Sequence, residues 1–116
     1  MGEKSLFLQF FGYSPNFRMI DFLLEHRLED FTKTDIAKGA GISWASLFNH
    51  WEALEEHGIV KPTRTIGRAT LYQLDEASPI VKRLKSIEMA LMEEAGGARR
   101  EKVLVRAGAN KTARRS

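Results

Sequence analysis

Residues 34 to 74 contain two helical patterns, a tight turn between them and a basic hairpin pattern, in an order that few folds accommodate. In the first helical pattern, Ile36 and Ala40 lie on one face. Gly41 then breaks the helix where a left-handed backbone is cheap only for glycine. Ser43 can cap the next helix by accepting a free amide proton. The spacing therefore predicts two short helices joined by a tight turn.

The second helical pattern covers residues 44 to 57. Leu47, Trp51 and Leu54 repeat at helical spacing and predict its buried face. The other face is predicted to carry small and polar side chains, namely Ala45, Ser46, Asn49 and Ala53. This segment is therefore expected to pack through one side and to present the other side to a partner.

A basic hairpin is expected to follow this helix. Strands are predicted at about residues 60 to 65 and 69 to 74, around a turn at Gly67. Pro62 lacks an amide proton and restricts the first strand to an edge or irregular role. Phe31 can pair with the hairpin as a very short strand, which would connect it to the helices.

Two serine-proline pairs open further helices on either side of this unit. The first helix is expected at residues 14 to 27 and the second at residues 78 to 95, where Gly96-Gly97 would end it. The whole pattern predicts a mainly α fold with a small β-hairpin, a winged helix-turn-helix with an additional C-terminal helix. The expected divisions are an apolar N-terminal segment at 1–13, the winged helix at 14–76, the C-terminal helix at 77–97 and a basic, flexible tail at 98–116.

An apolar stripe runs along the predicted C-terminal helix. Ile80, Leu84, Ile87 and Leu91 step by four, three and four residues, which is the spacing of a coiled-coil seam. A domain this small leaves little core to receive a second stripe, so the stripe favours a homodimer, which the apolar segment 1–13 can extend. The alternative is a helix packed on its own domain.

Composition narrows the class of protein. The chain has 116 residues and no cysteine, which predicts one small domain without disulfides or thiolate metal sites. No apolar run or signal-peptide pattern predicts a membrane segment, so a cytoplasmic location is expected. Residues 98–116 hold seven basic residues against Glu101 alone, so the net charge of +3 arises from the tail. This tail is expected to be a solvated extension that can bind phosphates; docking of its Val103–Val105 segment is the alternative.

Three runs in the chain resemble one known family. They are Asp35-Ile-Ala-Lys-Gly-Ala-Gly-Ile-Ser43, Leu54-Glu-Glu-His-Gly-Ile-Val60 and Gly67-Arg-Ala-Thr-Leu-Tyr-Gln-Leu74. The sequence from about residue 14 to 90 is similar to the winged-helix transcriptional regulators of archaea and bacteria, most closely to the archaeal branch. The resemblance implies a double-stranded DNA partner and dimerisation. It identifies neither an operator nor an effector ligand.

Residues 44–57 would then be the recognition helix in the major groove, and residues 59–74 the wing on the backbone or minor groove. Asn49 can contact adenine through two hydrogen bonds, and Ala45 can touch a thymine methyl. Arg64 and Arg68 can reach phosphates or the minor groove. The full set of candidate DNA-binding residues is Lys33, Thr34, Lys38, Ser43, Trp44, Ala45, Ser46, Asn49, Arg64, Thr65 and Arg68.

The roles of some residues and one alternative function stay open at this point. Trp44 is expected to pack in the core or at its rim, and contact with the DNA backbone is its alternative role. His50 and His57 lie two helical turns apart, about 10 Å, which is too far for one metal ion without a third element. No catalytic motif is recognisable, so no enzyme activity and no cofactor are predicted. The acidic residues Glu52, Glu55 and Glu56, in the C-terminal half of the predicted recognition helix, favour an alternative function, a winged-helix module that binds protein in a replication or transcription assembly.

Overall fold

The computed structural model describes the backbone of residues 5–106 and the side chains of residues 5–97. Five helices and one hairpin follow each other along the described range. They are α1 (Leu6–Phe11), α2 (Pro15–Glu25), α3 (Lys33–Ala40), α4 (Trp44–Glu56), β1 (Val60–Ile66), β2 (Ala69–Leu74) and α5 (Pro79–Arg106). The mainly α fold with a small hairpin is therefore confirmed.

The core lies where α2, α3 and α4 meet the base of the hairpin. Leu47, Trp51 and Leu54 are buried in it, as their spacing predicts. Helices α1 and α5 each contribute one fully buried side chain, Phe7 and Val81 respectively. The same cluster thus holds the helix-turn-helix unit and both ends of the described chain.

Local capping fixes the turn between α3 and α4. Thr32 caps α3, and Asp35 completes a capping box with it. Gly41 ends α3 with φ at 71°, and Ser43 caps α4 by accepting the Ser46 amide proton at 3.0 Å. Each of these bonds satisfies a helix-end donor that would otherwise lack a partner, so the turn is specified by its own residues.

Strands β1 and β2 form an antiparallel hairpin that turns at Gly67, whose φ is 62°. The pairing is irregular between Pro62 and Arg64, which agrees with the missing amide proton of the proline. Phe31 forms an isolated antiparallel bridge with Tyr72, with N–H to O distances of 2.8 and 2.7 Å. The predicted short strand is therefore confirmed, and it ties the hairpin to the segment that precedes α3.

The N-terminal segment contains a helix, α1, that the sequence pattern did not predict. A six-residue helix is unstable alone, because nucleation is costly, and α1 depends on its contacts with α2. The Ser5 hydroxyl accepts the Leu8 amide proton at 3.0 Å and donates to Asp21 Oδ1 at 2.9 Å. Burial raises the pKa of Asp21, while the Ser5 hydrogen bond opposes that rise. Ser5 therefore both caps α1 and anchors it on α2.

The predicted end of the C-terminal helix at Gly96-Gly97 is wrong, because α5 continues to Arg106. Glycine in a helix costs only about 1 kcal/mol relative to alanine, and the residues on both sides of the pair are good helix formers. The prediction of a flexible tail is thereby corrected for residues 98–106, whereas residues 107–116 lie outside the described range. Within that range, none of the helices is both long and apolar enough to span a membrane.

Gly39 allows α3 to approach α2 closely. A Cβ atom at this position would overlap the ring carbons of Phe22, which are confined by contacts with His26 and Phe31 at centroid distances of 4.7 and 4.9 Å. The exposed helical position of Gly39 gave no signal of this constraint in the sequence.

We expect Gly39→Ala to lower the free energy of unfolding, because overpacking costs about 1–3 kcal/mol and exceeds the gain of at most about 1 kcal/mol in helix propensity. Gly96→Ala is the matched control. A Cβ at Gly96 meets no atom within 4 Å in the described part of the chain, so this variant should be stabilised by about 0.5–1 kcal/mol. Denaturant unfolding measures both, and two stabilised variants would contradict the close approach.

Candidate nucleic-acid interface

Helix α4 presents its first two turns to solvent. Its buried side holds the apolar stripe described above, and Ala45 and Asn49 lie exposed on the opposite side. Ser46 is half-buried, and the carbonyl group of the same residue contacts His50 Nδ1 at 2.8 Å. Ser43 is committed to capping the helix. Of these residues, Ala45 and Asn49 are thus best placed to reach a partner.

Trp44 does not lie in the core or at its rim as expected, because 53% of its surface is exposed. As the first residue of α4, it precedes the first full turn that packs on α3. Phe48, one turn later, is 66% exposed, and the two ring centroids are 6.4 Å apart. The sequence pattern did not single out Phe48, although its i+4 spacing from Trp44 was the available signal. An uncovered aromatic pair therefore flanks Ala45 and Asn49.

The candidate DNA-binding residues on α3 differ in their surroundings. Thr34 and Lys38 are exposed, as a role against the DNA backbone requires. Lys33 is half-buried, and its ammonium group lies 5.3 Å from the ring centre of Trp51 and 5.7 Å from that of Tyr72. These distances are those of cation–π contacts, so Lys33 takes part in packing between helix and hairpin.

Arg18 supports the turn of the helix-turn-helix unit, a role that the sequence analysis did not find. Its Nε donates to the Tyr13 carbonyl at 3.0 Å, and its Nη1 donates to the Gly41 carbonyl at 3.2 Å. Gly41 ends α3, where carbonyl groups lack helical partners and attract cations. No sequence signal links Arg18 to a residue 23 positions away, because the contact arises from tertiary packing.

The wing arginines also differ. Arg64 forms a two-pronged ion pair with Asp30, at 2.9 Å from Nε and 3.1 Å from Nη2, and the Thr63 hydroxyl donates to the same carboxylate. These bonds lower the pKa of Asp30, the Arg64 bond most of all. The contribution of Asp30 to stability is therefore present above the ordinary aspartate pKa and is lost as the pH falls through the lowered value.

Arg68 lies exposed beside the turn of the hairpin, as does Thr65 on β1. In the described range, Arg68 has no hydrogen-bonding or ionic partner. The two arginines predicted to contact phosphates therefore differ. Arg64 is already paired with the carboxylate of Asp30, whereas Arg68 is free to contact a phosphate.

The far half of α4 has the opposite charge. Glu52, Glu55 and Glu56 are exposed there, and α4 contains neither lysine nor arginine. These carboxylates would repel phosphates. Only the first two turns of α4 can therefore approach a duplex closely.

The apolar stripe of α5 is divided between two environments. Leu84 packs against the core, and Leu91 lines an open groove of about 760 Å³ together with Leu6 and Phe10 of α1. The other two members of the stripe remain exposed, Ile80 at 41% and Ile87 at 36%. Packing on the domain thus accounts for Leu84, whereas Ile80 and Ile87 are the members of the stripe left available for the predicted dimerisation.

No metal centre is formed by the described residues, among which no cluster of three or more histidine, cysteine or carboxylate side chains could hold an ion. His50 contacts a backbone carbonyl group of its own helix, and His57 lies at the end of that helix, where it provides the C-cap.

No protein-family model matches the chain, and no curated protein matches its sequence. Solved structures do match it. MepR, a transcription regulator of the Staphylococcus aureus multidrug efflux pump MepA, has a TM-score of 0.56 and 20% identity over 78% of this chain and 69% of its own. AntR, an antimony-specific transcriptional repressor, has a TM-score of 0.51 and 24% identity over 69% of this chain and 68% of its own. A variant of ZitR of Lactococcus lactis in its apo form has a TM-score of 0.52 and 20% identity over 85% of this chain and 81% of its own.

At these identities the likeness concerns the fold. The match to transcription regulators agrees with the resemblance found in the sequence, and the closeness to the archaeal branch stays a prediction. Two helices joined at Gly41, followed by a hairpin, give the chain the winged helix-turn-helix fold of these regulators.

Proposed function

We propose that the chain is a transcriptional regulator that binds double-stranded DNA. The observation that carries the proposal is the exposed face formed by the first two turns of α4, with Asn49 and Ala45 directed outward. In a winged helix-turn-helix this part of the recognition helix enters the major groove. Lys38, on the helix that precedes α4 in the chain, and Arg68, at the wing turn that follows it, supply cations for phosphates.

The fold matches support this proposal over an enzymatic function, because the matched proteins with stated roles are a transcription regulator and a transcriptional repressor. A regulator of transcription acts where the genome lies, so the cytoplasmic location expected from the sequence is part of the proposal. An effector ligand is not assigned.

One observation favours a second candidate, a winged-helix module that binds another protein. Helix α4 carries no lysine or arginine, and its exposed face combines an aromatic pair with three carboxylates. Aromatic residues are enriched at the centres of protein interfaces. Selection of bound fragments from genomic DNA by the purified protein separates the two functions, since the second predicts no enriched sequence.

Dimerisation through α1 and α5 is also part of the proposal. Ile80 and Ile87 on α5 and Phe10 on α1, which is 63% exposed, leave apolar surface that the domain itself does not cover. A second copy of the chain can cover it by a two-fold arrangement in which the same surface is used by both subunits. Such a dimer would present two recognition helices to successive turns of a duplex.

Lys38→Ala and Arg68→Ala should weaken binding to all duplexes and lower the salt dependence by about one unit each, because each variant removes one phosphate contact. Asn49→Ala should instead cost about 1–3 kcal/mol at one base position of the selected site. Lys82→Ala on α5 removes an equally exposed charge and should change neither quantity. Fluorescence anisotropy titrations over a range of salt concentrations measure both, and affinities unchanged in all variants would exclude the assigned surface.

Asp30→Asn should raise the affinity for every duplex and steepen the salt dependence by about one unit, because it removes a negative charge and releases the Arg64 guanidinium for a phosphate. The asparagine oxygen can still accept the Thr63 hydroxyl proton. Glu76→Gln is the control, since Glu76 is likewise paired with cations, Lys85 and Arg27. Weaker binding by Asp30→Asn would show instead that the ion pair holds Arg64 in its working position.

Ile87→Glu should dissociate the dimer. A buried and unpaired charge costs about 3 kcal/mol or more, which raises the dissociation constant at least about a hundredfold. Ile87 suits this test better than Leu91, because Leu91 also lines the groove beside α1 within its own subunit. Ser86→Glu places the same charge on an exposed neighbouring position and should leave the dimer intact. Analytical ultracentrifugation decides, and a wild-type monomer or a dimeric Ile87→Glu rejects the interface.

A further inference from the structure

Resting on the proposed function, we propose that the recognition helix identifies A·T base pairs through the methyl group of thymine. Phe48 and Trp44 form the apolar contact, with Ala45 beside them, and Asn49 contacts the adenine side of a base pair. The positions of these four side chains on one exposed surface, here called the apolar reading surface, carry the inference.

The apolar reading surface follows from helical geometry. At 100° per residue, Trp44, Phe48, Ala45 and Asn49 occupy one continuous sector over the first two turns of α4. The buried stripe of Leu47, Trp51 and Leu54 lies outside that sector. Both aromatic rings are more than half exposed, and they lie side by side rather than covering each other, with planes tilted by 33°. The surface is therefore apolar at one edge and carries an amide group at the other.

The base edges in the major groove differ in the chemistry that this surface can meet. Guanine presents two acceptors that are read best by arginine or lysine, and α4 has neither. Thymine presents the one apolar group in the groove, its methyl, which pairs with apolar side chains. Adenine presents an acceptor and a donor that match the Asn49 amide. The exposed side chains of the first two turns of α4, Trp44, Ala45, Phe48 and Asn49, therefore correspond to A·T pairs.

Charge indicates a duplex rather than a protein as the occupant of this surface. The exposed cations Lys38 and Arg68 lie on α3 and at the hairpin turn, the elements that precede and follow α4 in the chain. The carboxylates Glu52, Glu55 and Glu56 begin only in the third turn of the helix, where they limit how far the helix can enter a groove. A polyanion that meets the apolar reading surface is therefore offered cations by the elements before and after α4, whereas the surface itself carries no charge.

The test compares thymine with uracil, which differs only by the missing methyl group and keeps every hydrogen-bonding group. Duplexes of the site selected from genomic DNA are prepared with uracil at one thymine position at a time. We expect about a fourfold loss of affinity at one or two positions, as for the burial of one methyl-sized group. In Phe48→Ala the affinities for the thymine and uracil duplexes should be equal at those positions. In Met89→Ala, which removes an exposed apolar side chain on α5, the fourfold ratio should persist.

The outcomes separate this inference from the proposed function. If a site is selected but uracil has no effect at any position, the methyl readout is wrong and the proposed function stands. If Phe48→Ala binds the site but retains the fourfold ratio, the aromatic pair does not make the contact and the inference is overturned. If no duplex is selected, the proposed function fails and this inference with it. Thermal unfolding of Phe48→Ala is expected to match wild type because the ring lies outside the core, which makes changes in affinity interpretable.

Discussion

The packing of Trp51 against Tyr72 determines how the recognition helix lies relative to the wing. The two rings meet edge to face, with centroids 4.9 Å apart, which is a favourable aromatic geometry. Tyr72 is also bridged to Phe31 through two backbone hydrogen bonds, and the Lys33 ammonium lies over both Trp51 and Tyr72. One aromatic contact thus joins α4, the hairpin and the start of α3. Because Ala45 and Asn49 lie exposed on the side of α4 opposite Trp51, their direction depends on this contact.

The distribution of charge on the candidate interface divides the work of recognition among the elements. Helix α4 has neither lysine nor arginine, so in the proposed complex the electrostatic attraction to a duplex would come from α3 and the wing. Asp30 holds one of the wing arginines, Arg64, in a two-pronged pair. The pair fixes the direction of the guanidinium group, and the carboxylate offsets its positive charge. Arg68 remains available at the turn. In the proposed complex, such an arrangement would limit sequence-independent attraction and leave more of the discrimination to base contacts.

The sequence predicted best those features that depend on residues close together in the chain. The cap at Ser43, the left-handed turn at Gly41 and the hairpin turn at Gly67 all involve neighbours within three or four residues. The features that it missed depend on distant contacts. Helix α1 is held by a bond from Ser5 to α2, and Asp30 meets Arg64 across 34 positions. Phe48 was missed because apolar residues at helical spacing indicate a core, whereas its ring lies just outside the buried arc of α4.

The apolar stripe of α5 shows why one spacing pattern supported two interpretations. Residues at coiled-coil spacing span an arc of a helix rather than a line, and at 100° per residue Leu84 and Leu91 lie on one side of that arc while Ile80 and Ile87 lie on the other. On the first side, Leu84 packs against the core and Leu91 lines the groove beside α1, whereas the second side is exposed. A helix so divided can attach to its own domain and still offer a ridge to a second subunit. Domain packing therefore positions the surface through which a dimer would form, and the two interpretations do not exclude each other.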